Sequence, residues 1–111
     1  MKVLTKLEEG ALLTIFNIKE DAYIVSIKDR LERVMNKNIS FGALHVSLNR
    51  LIKNGYLESR IGESSSVRGG RAKKYYKITK EGILALKDIR LLQRLMWKDF
   101  DNLADELLEA Q

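Results

Sequence analysis

Residues 40–79, SFGALHVSLNRLIKNGYLESRIGESSSVRGGRAKKYYKIT, constrain the fold of this chain more than any other stretch. A Ser opens a segment of helical period, the next residues alternate as a strand, a Gly/Ser-rich tip interrupts them, and a basic strand returns. That order reads as a recognition helix followed by a β-hairpin wing. Charge follows the same outline. Residues 37–80 hold ten Lys/Arg against two Asp/Glu, net +8, while the whole chain is only +5, so the remainder is net −3. A basic helix and hairpin between less basic flanks is the electrostatic footprint of a nucleic-acid-binding surface.

The rest of the composition narrows the function classes. At 111 residues and 45% hydrophobic content the chain can build one domain with a single modest core. No cysteine is present and His45 is the one histidine, so thiol chemistry is excluded and metal chemistry nearly so; no cofactor is expected. GESSS lacks the G-x-S-x-G spacing of a nucleophile elbow, and the expectation is a protein that is not an enzyme. No apolar run approaches the roughly 20 residues that cross a bilayer, and MKVLTKLEEGAL carries acidic residues where a signal peptide would be apolar. A cytoplasmic protein with no membrane contact is expected, and a pI near 9.5 makes polyanions the first partners to test.

In chain order, Leu4, Leu7, Ala11, Leu12, Ile15 and Ile18 recur at spacings of three and four, predicting a first helix from about residue 4 to 18. Gly10 weakens it by roughly 1 kcal/mol relative to Ala, and a close helix contact would explain its presence. Asp21 is the expected cap of a second helix to about Asn36, with Ile24, Ile27, Leu31 and Val34 inward and Lys28, Asp29, Arg30, Glu32 and Arg33 on a solvated face. Ile39 is a candidate one-residue bridge to the hairpin.

Ser40 caps the third helix, which ends at Asn54-Gly55, a pair suited to a left-handed stop. Leu44, Leu48 and Leu51 form its inner stripe, flanked by Phe41 and Ile52. On the other side Gly42 and Ala43 leave room for close approach, Val46 is apolar where a solvated helix would prefer Lys or Glu, and Asn49, Arg50 and Lys53 offer donors. Residues 57–62 and 73–78 alternate as strands, with Leu57, Ile61, Tyr76 and Ile78 able to face the core and Tyr75 outward beside Arg60 and Lys77. Arg68 and Arg71 bracket two glycines at the wing tip, where a guanidinium can enter a narrow groove.

Thr79 caps a last helix with Glu81 in its first turn. It is expected to run unbroken from Lys80 to about Leu108, about 43 Å. The first 80 residues cannot cover a helix that long, yet Leu84, Ile89, Leu92, Leu95, Met96, Phe100, Leu103 and Leu107 keep it apolar almost to its end. A second copy related by a two-fold axis is the commonest cover, and these residues are the expected dimer interface. Residues 81–111 carry four Lys/Arg against seven Asp/Glu, so this end is not expected to lie on DNA.

Three strings, LTKLEEGALLTIFNIKEDAYIVSI, GALHVSLNRLIKNGYLES and above all RGGRAKKYYKITKEGILAL, give the chain a further property: it resembles the PadR family of bacterial transcriptional regulators. The ending LLQRLMWKDFDNL looks like the short-tailed members with one C-terminal helix. The resemblance implies a mainly helical α+β fold, a winged helix-turn-helix over 1–79 and a dimerisation helix over 80–111. It implies a homodimer on a two-fold-symmetric operator, usually repressing until an effector binds. Where the family usually has tyrosine this chain has His45, at the border of the inner stripe, where packing and phosphate contact are both open to it. Candidate DNA-binding residues are Ser40, Gly42, Ala43, His45, Val46, Asn49, Arg50, Lys53, Arg68, Arg71, Lys73, Lys74 and Tyr75. Flat aromatic effectors of short-tailed relatives sit at the dimer interface, which makes Met96, Trp97 and Phe100 candidates to line such a pocket; for Trp97 packing is the competing role. A winged-helix module that binds another protein, with its basic face incidental, is the alternative from a different class.

Overall fold

The computed structural model describes residues 3–62 and 72–111. Its elements are α1 (Lys6–Ile18), a 3-10 turn (Lys19–Asp21), α2 (Ile24–Met35), α3 (Phe41–Lys53), β1 (Leu57–Ile61), β2 (Lys74–Ile78), α4 (Lys80–Met96) and α5 (Phe100–Glu109). Three helices make the body, and the antiparallel pair β1–β2 projects from it in the register Leu57 to Ile78 through Ile61 to Lys74. This is a winged-helix arrangement.

α1 starts at Thr5, whose hydroxyl accepts from the Glu8 N–H while the Glu8 carboxylate accepts from the Thr5 N–H, both at 3.0 Å. That reciprocal cap is typically worth about 1 kcal/mol. Leu12 and Ile15 from α1, Ile27 and Leu31 from α2, and Leu44, Leu48 and Leu51 from α3 are fully buried together. Each contributes on the order of 1.5–3 kcal/mol of hydrophobic stabilisation. A Cβ at Gly10 would lie 2.9 Å from Leu31 Cδ2, so the predicted close approach of α1 to another helix is real and involves α2. Leu57 and Tyr76 extend the same core onto the sheet.

Several expectations need correcting. Asp21 does not cap α2; it closes the 3-10 turn, and Tyr23 holds the cap position. There the Ser26 hydroxyl, from inside the helix, accepts from the Tyr23 N–H at 3.1 Å and supplies what Asp21 was expected to supply. Val34 is not inward but 72% exposed; in the last turn of α2 it is Met35, the next residue, that packs against the core. Phe41 and Ile61 are also exposed. Ile61 keeps the strand parity of Leu57 but stands at the last pair of the register, opposite Lys74. Ile39 is buried yet makes no bridge; its N–H donates to Glu32 Oε2 at 2.8 Å. The isolated bridge to the hairpin is Tyr23 with Tyr75.

The largest correction concerns the last helix, which is broken at residues 97–99. Trp97 leaves helical geometry and Asp99 adopts φ 65°, ψ 0°, a left-handed conformation that interrupts the hydrogen-bond ladder. Asp is among the few non-glycine residues that visit this region at small cost. α4 packs back on the body through Ala85 and through Gln93, whose amide donates to Glu9 Oε1 at 3.2 Å. α5 buries no residue in the chain. Among the described residues no helix is long and apolar enough to cross a membrane.

Candidate nucleic-acid interface

α3 is built to present one face. The Ser40 hydroxyl accepts from the Ala43 N–H at 3.1 Å, which fixes the first turn and leaves the other N-terminal amides at the positive end of the helix dipole. Leu44, Ser47, Leu48 and Leu51 are buried on the inner side. Ser40, Gly42, Ala43, His45, Val46, Asn49, Arg50 and Lys53 are all exposed on the outer side. Val46, at 51% exposure, is an apolar side chain offered to solvent between polar neighbours. Gly55, with φ 82°, ends the helix as expected, and β1 leaves from there.

The wing supplies cations at the outer end of its strand pair. Lys73 and Lys74 are exposed and Tyr75 is half-buried. Lys73 Nζ lies 4.2 Å from the Tyr23 ring centroid and Lys74 Nζ 5.6 Å from that of Tyr76. Arg68 and Arg71 lie outside the described residues. Gly55 joins α3 to β1, and β1 pairs with β2, the strand that carries Lys74 and Tyr75.

Sequence reasoning missed three residues next to this surface, Tyr23, Lys28 and Glu32, and placed a fourth, Arg60, only as a neighbour of Tyr75. Arg60 stands opposite Tyr75 in the sheet, with its guanidinium 4.8 Å from that ring. Tyr23 meets Tyr75 edge-on. Lys28 sits 4.9 Å over Phe41 at the start of α3, and Glu32 holds both Lys28 and the Ile39 N–H. The alternation of the strands predicts the Arg60–Tyr75 neighbourhood; the others depend on how α2 meets α3 and the sheet, which no local period encodes.

Of the residues expected at a dimer interface, Leu84, Leu92, Leu95, Met96, Phe100, Leu103 and Leu107 are exposed in the single chain, and Ile89 is half-buried. Trp97 is 60% exposed and stacks edge-on against Phe100, centroids 5.0 Å apart at 84°. Leu13 and Phe16 of α1 are exposed as well. Two large apolar residues three apart and off the inner stripe were the signal for them.

The family model for the transcriptional regulator PadR-like family matches residues 12–88, from the core of α1 to the middle of α4. The chain belongs to the PadR-like family of transcriptional regulators. Solved structures agree with the fold of this PadR-like chain. It is similar to a transcriptional regulator from Clostridium thermocellum, at 25% identity over 90% of this chain and 97% of that one, TM-score 0.69. A PadR-like transcriptional regulator from Bacillus cereus matches at 25% identity over 93% of this chain and 92% of that one, TM-score 0.64. RosR of H. salinarum shares the fold at 20% identity over 99% and 98% of the two chains, TM-score 0.67. No curated protein sequence matches the chain.

Proposed function

We propose that this PadR-like regulator binds a two-fold-symmetric duplex operator as a homodimer and represses transcription from it. α3 enters the major groove with Asn49 and Arg50 at base edges or phosphates, and Lys73, Lys74 and Tyr75 contact the backbone from the wing, with Arg68 and Arg71 at its tip. The observation that carries this reading is the outer face of α3. Its eight exposed residues are small, apolar or hydrogen-bonding, with no carboxylate among them, while the opposite face is fully buried. A merely solvated helix would mix both signs of charge there.

In the same reading residues 1–79 are the reading head and 80–111 hold the two heads at a fixed spacing. A flat aromatic effector bound near Met96, Trp97 and Phe100 shifts that spacing, so that one head is out of register when the other docks. The test is binding to the duplex upstream of the chain's own coding sequence and to a mixed-sequence duplex. Asn49→Ala or Arg50→Ala is expected to cost roughly 1–3 kcal/mol on the first and little on the second. Equal losses on both would reassign these residues to phosphates.

A second reading is favoured by one observation, the exposed apolar stripe of α5 with Leu103, Leu107 and Leu108. Under it the chain is a protein-interaction module and its basic face is incidental. A gel shift that survives excess mixed-sequence DNA excludes that alternative, and absence of any shift at moderate salt favours it.

A further inference from the structure

The segment between α1 and α2 reaches β2 of the wing and behaves as a third strand one residue long. Ala22 is fully buried, and its carbonyl accepts from the Tyr76 N–H at 2.8 Å. The next residue, Tyr23, forms an antiparallel bridge with Tyr75. Side chains continue what the backbone begins. The Tyr23 and Tyr75 rings meet edge-on, centroids 5.8 Å apart at 66°. Lys73 Nζ lies over the Tyr23 ring at 4.2 Å and the Arg60 guanidinium over the Tyr75 ring at 4.8 Å. The chain leaves room for this row at Gly62, where a Cβ would come within 2.6 Å of Tyr75 Cε2, while the Gly62 N–H donates to the Lys73 carbonyl at 2.7 Å.

We infer that Tyr23 is a positioning residue for the wing, holding the outer half of the strand pair against the start of α2 and so setting where Lys73 and Arg60 stand. The inference rests on the DNA-binding reading above. Tyr23 itself need not touch the nucleic acid; it acts through Tyr75 and the two cations. A ring at position 23 meets the requirement, because the contacts use its edge and face rather than its hydroxyl.

The experiment uses the full chain and two independent measurements: exchange of the Tyr76 amide proton, and affinity for a mixed-sequence duplex as a function of salt. In Tyr23→Ala the loss of the ring contacts is expected to speed Tyr76 exchange about tenfold, leaving Leu48 unchanged. Duplex affinity is expected to fall about tenfold, with a shallower dependence of log K on log salt as phosphate contacts at the wing are lost. Tyr23→Phe keeps both properties at wild-type values. Should Tyr23→Ala fail to fold, Tyr23→Leu, which keeps bulk without a ring, carries the same expectations. An unchanged Tyr76 amide in the ringless variant overturns the inference, as does faster exchange with unaltered affinity. Loss of affinity in Tyr23→Phe equal to that in Tyr23→Ala also overturns it, by making the hydroxyl the contact. If the wild-type chain binds no duplex, the DNA reading itself falls, while the amide measurement still decides whether Tyr23 holds the wing.

Discussion

Glu32 shows how one side chain can locate a helix it does not belong to. From sequence it sits on the outer face of α2 among Lys28, Asp29, Arg30 and Arg33, a face expected only to be solvated. In the structure its Oε2 accepts from the Ile39 N–H at 2.8 Å, just before the Ser40 cap, and both carboxylate oxygens lie 3.1 Å from Lys28 Nζ. Lys28 in turn stands over Phe41, the first residue of α3. The hydrogen bond from Ile39 first, and Lys28 second, hold the Glu32 carboxyl below its ordinary value of 4.5. A depressed folded pKa means that the stabilisation is complete above the unfolded value and is lost as pH falls through the folded one. Glu32→Gln is therefore expected to melt below the wild type at neutral pH by a margin that is constant from about pH 6 to 8. The margin should shrink as pH drops below 4.5. Melting curves of both proteins between about pH 3 and 8 check this, and a margin indifferent to acid would show that the carboxylate charge plays no part.

Between elements, the end of α3 and the start of α4 are fastened at one point. The Thr79 hydroxyl donates to the Gly55 carbonyl at 2.6 Å and accepts from the Gly82 N–H at 3.1 Å, while the Thr79 N–H donates to the Tyr56 carbonyl at 3.0 Å. Thr79→Ala is expected to cost about 1–2 kcal/mol in denaturant unfolding, since it removes a cap and a tertiary hydrogen bond together. Gly82 is where α4 passes the Tyr56 backbone, and an added Cβ would collide with the Tyr56 carbonyl oxygen. Backbone cannot step aside as a side chain can. Gly82→Ala should lose roughly 1–3 kcal/mol to overpacking, more than the ~1 kcal/mol gained in helix propensity, and a stabilised variant would show that α4 can slide. Thr79 and Glu81 were readable as a helix start because caps are local in sequence. So were the inner stripe of α3 and the alternation of Tyr75 and Tyr76, each set by the period of its own element. The start of α2 was not, because Ser26 and a buried Ala22 outcompete the better capping residue Asp21. The break at Asp99 was not either, because the apolar period of Met96, Phe100, Leu103 and Leu107 continues across it.

At the scale of the whole molecule, the chain extends over 65 × 28 × 21 Å, and its far end is a helix that touches none of its own core. The mismatch between the length of the apolar stripe and the size of the body was visible in the sequence, and the break does not remove it. Leu92 and Leu95 on α4 and Phe100, Leu103 and Leu107 on α5 remain exposed, in a segment whose net charge is opposite to that of the reading head. Joining two copies through these tails leaves both basic faces free for one duplex, whereas joining them through the basic faces would cover the surface proposed to meet it. The stable dimer this requires buries on the order of 1,200 Å² or more. The double substitution Leu103→Asp/Leu107→Asp tests it without disturbing the protomer, because exposed positions typically tolerate such changes within about 0.5 kcal/mol. Wild-type protein is expected to sediment as a dimer at micromolar concentration. The variant should sediment as a monomer of unchanged helical content, with operator affinity lower by a factor of about 10²–10⁴ through loss of the tethered second head. A variant that remains dimeric would move the interface to α1 and α4, where Leu13, Phe16 and Leu84 are exposed. A variant that is monomeric yet binds the operator undiminished would leave α5 as a dimer contact and end the requirement for two heads on one site.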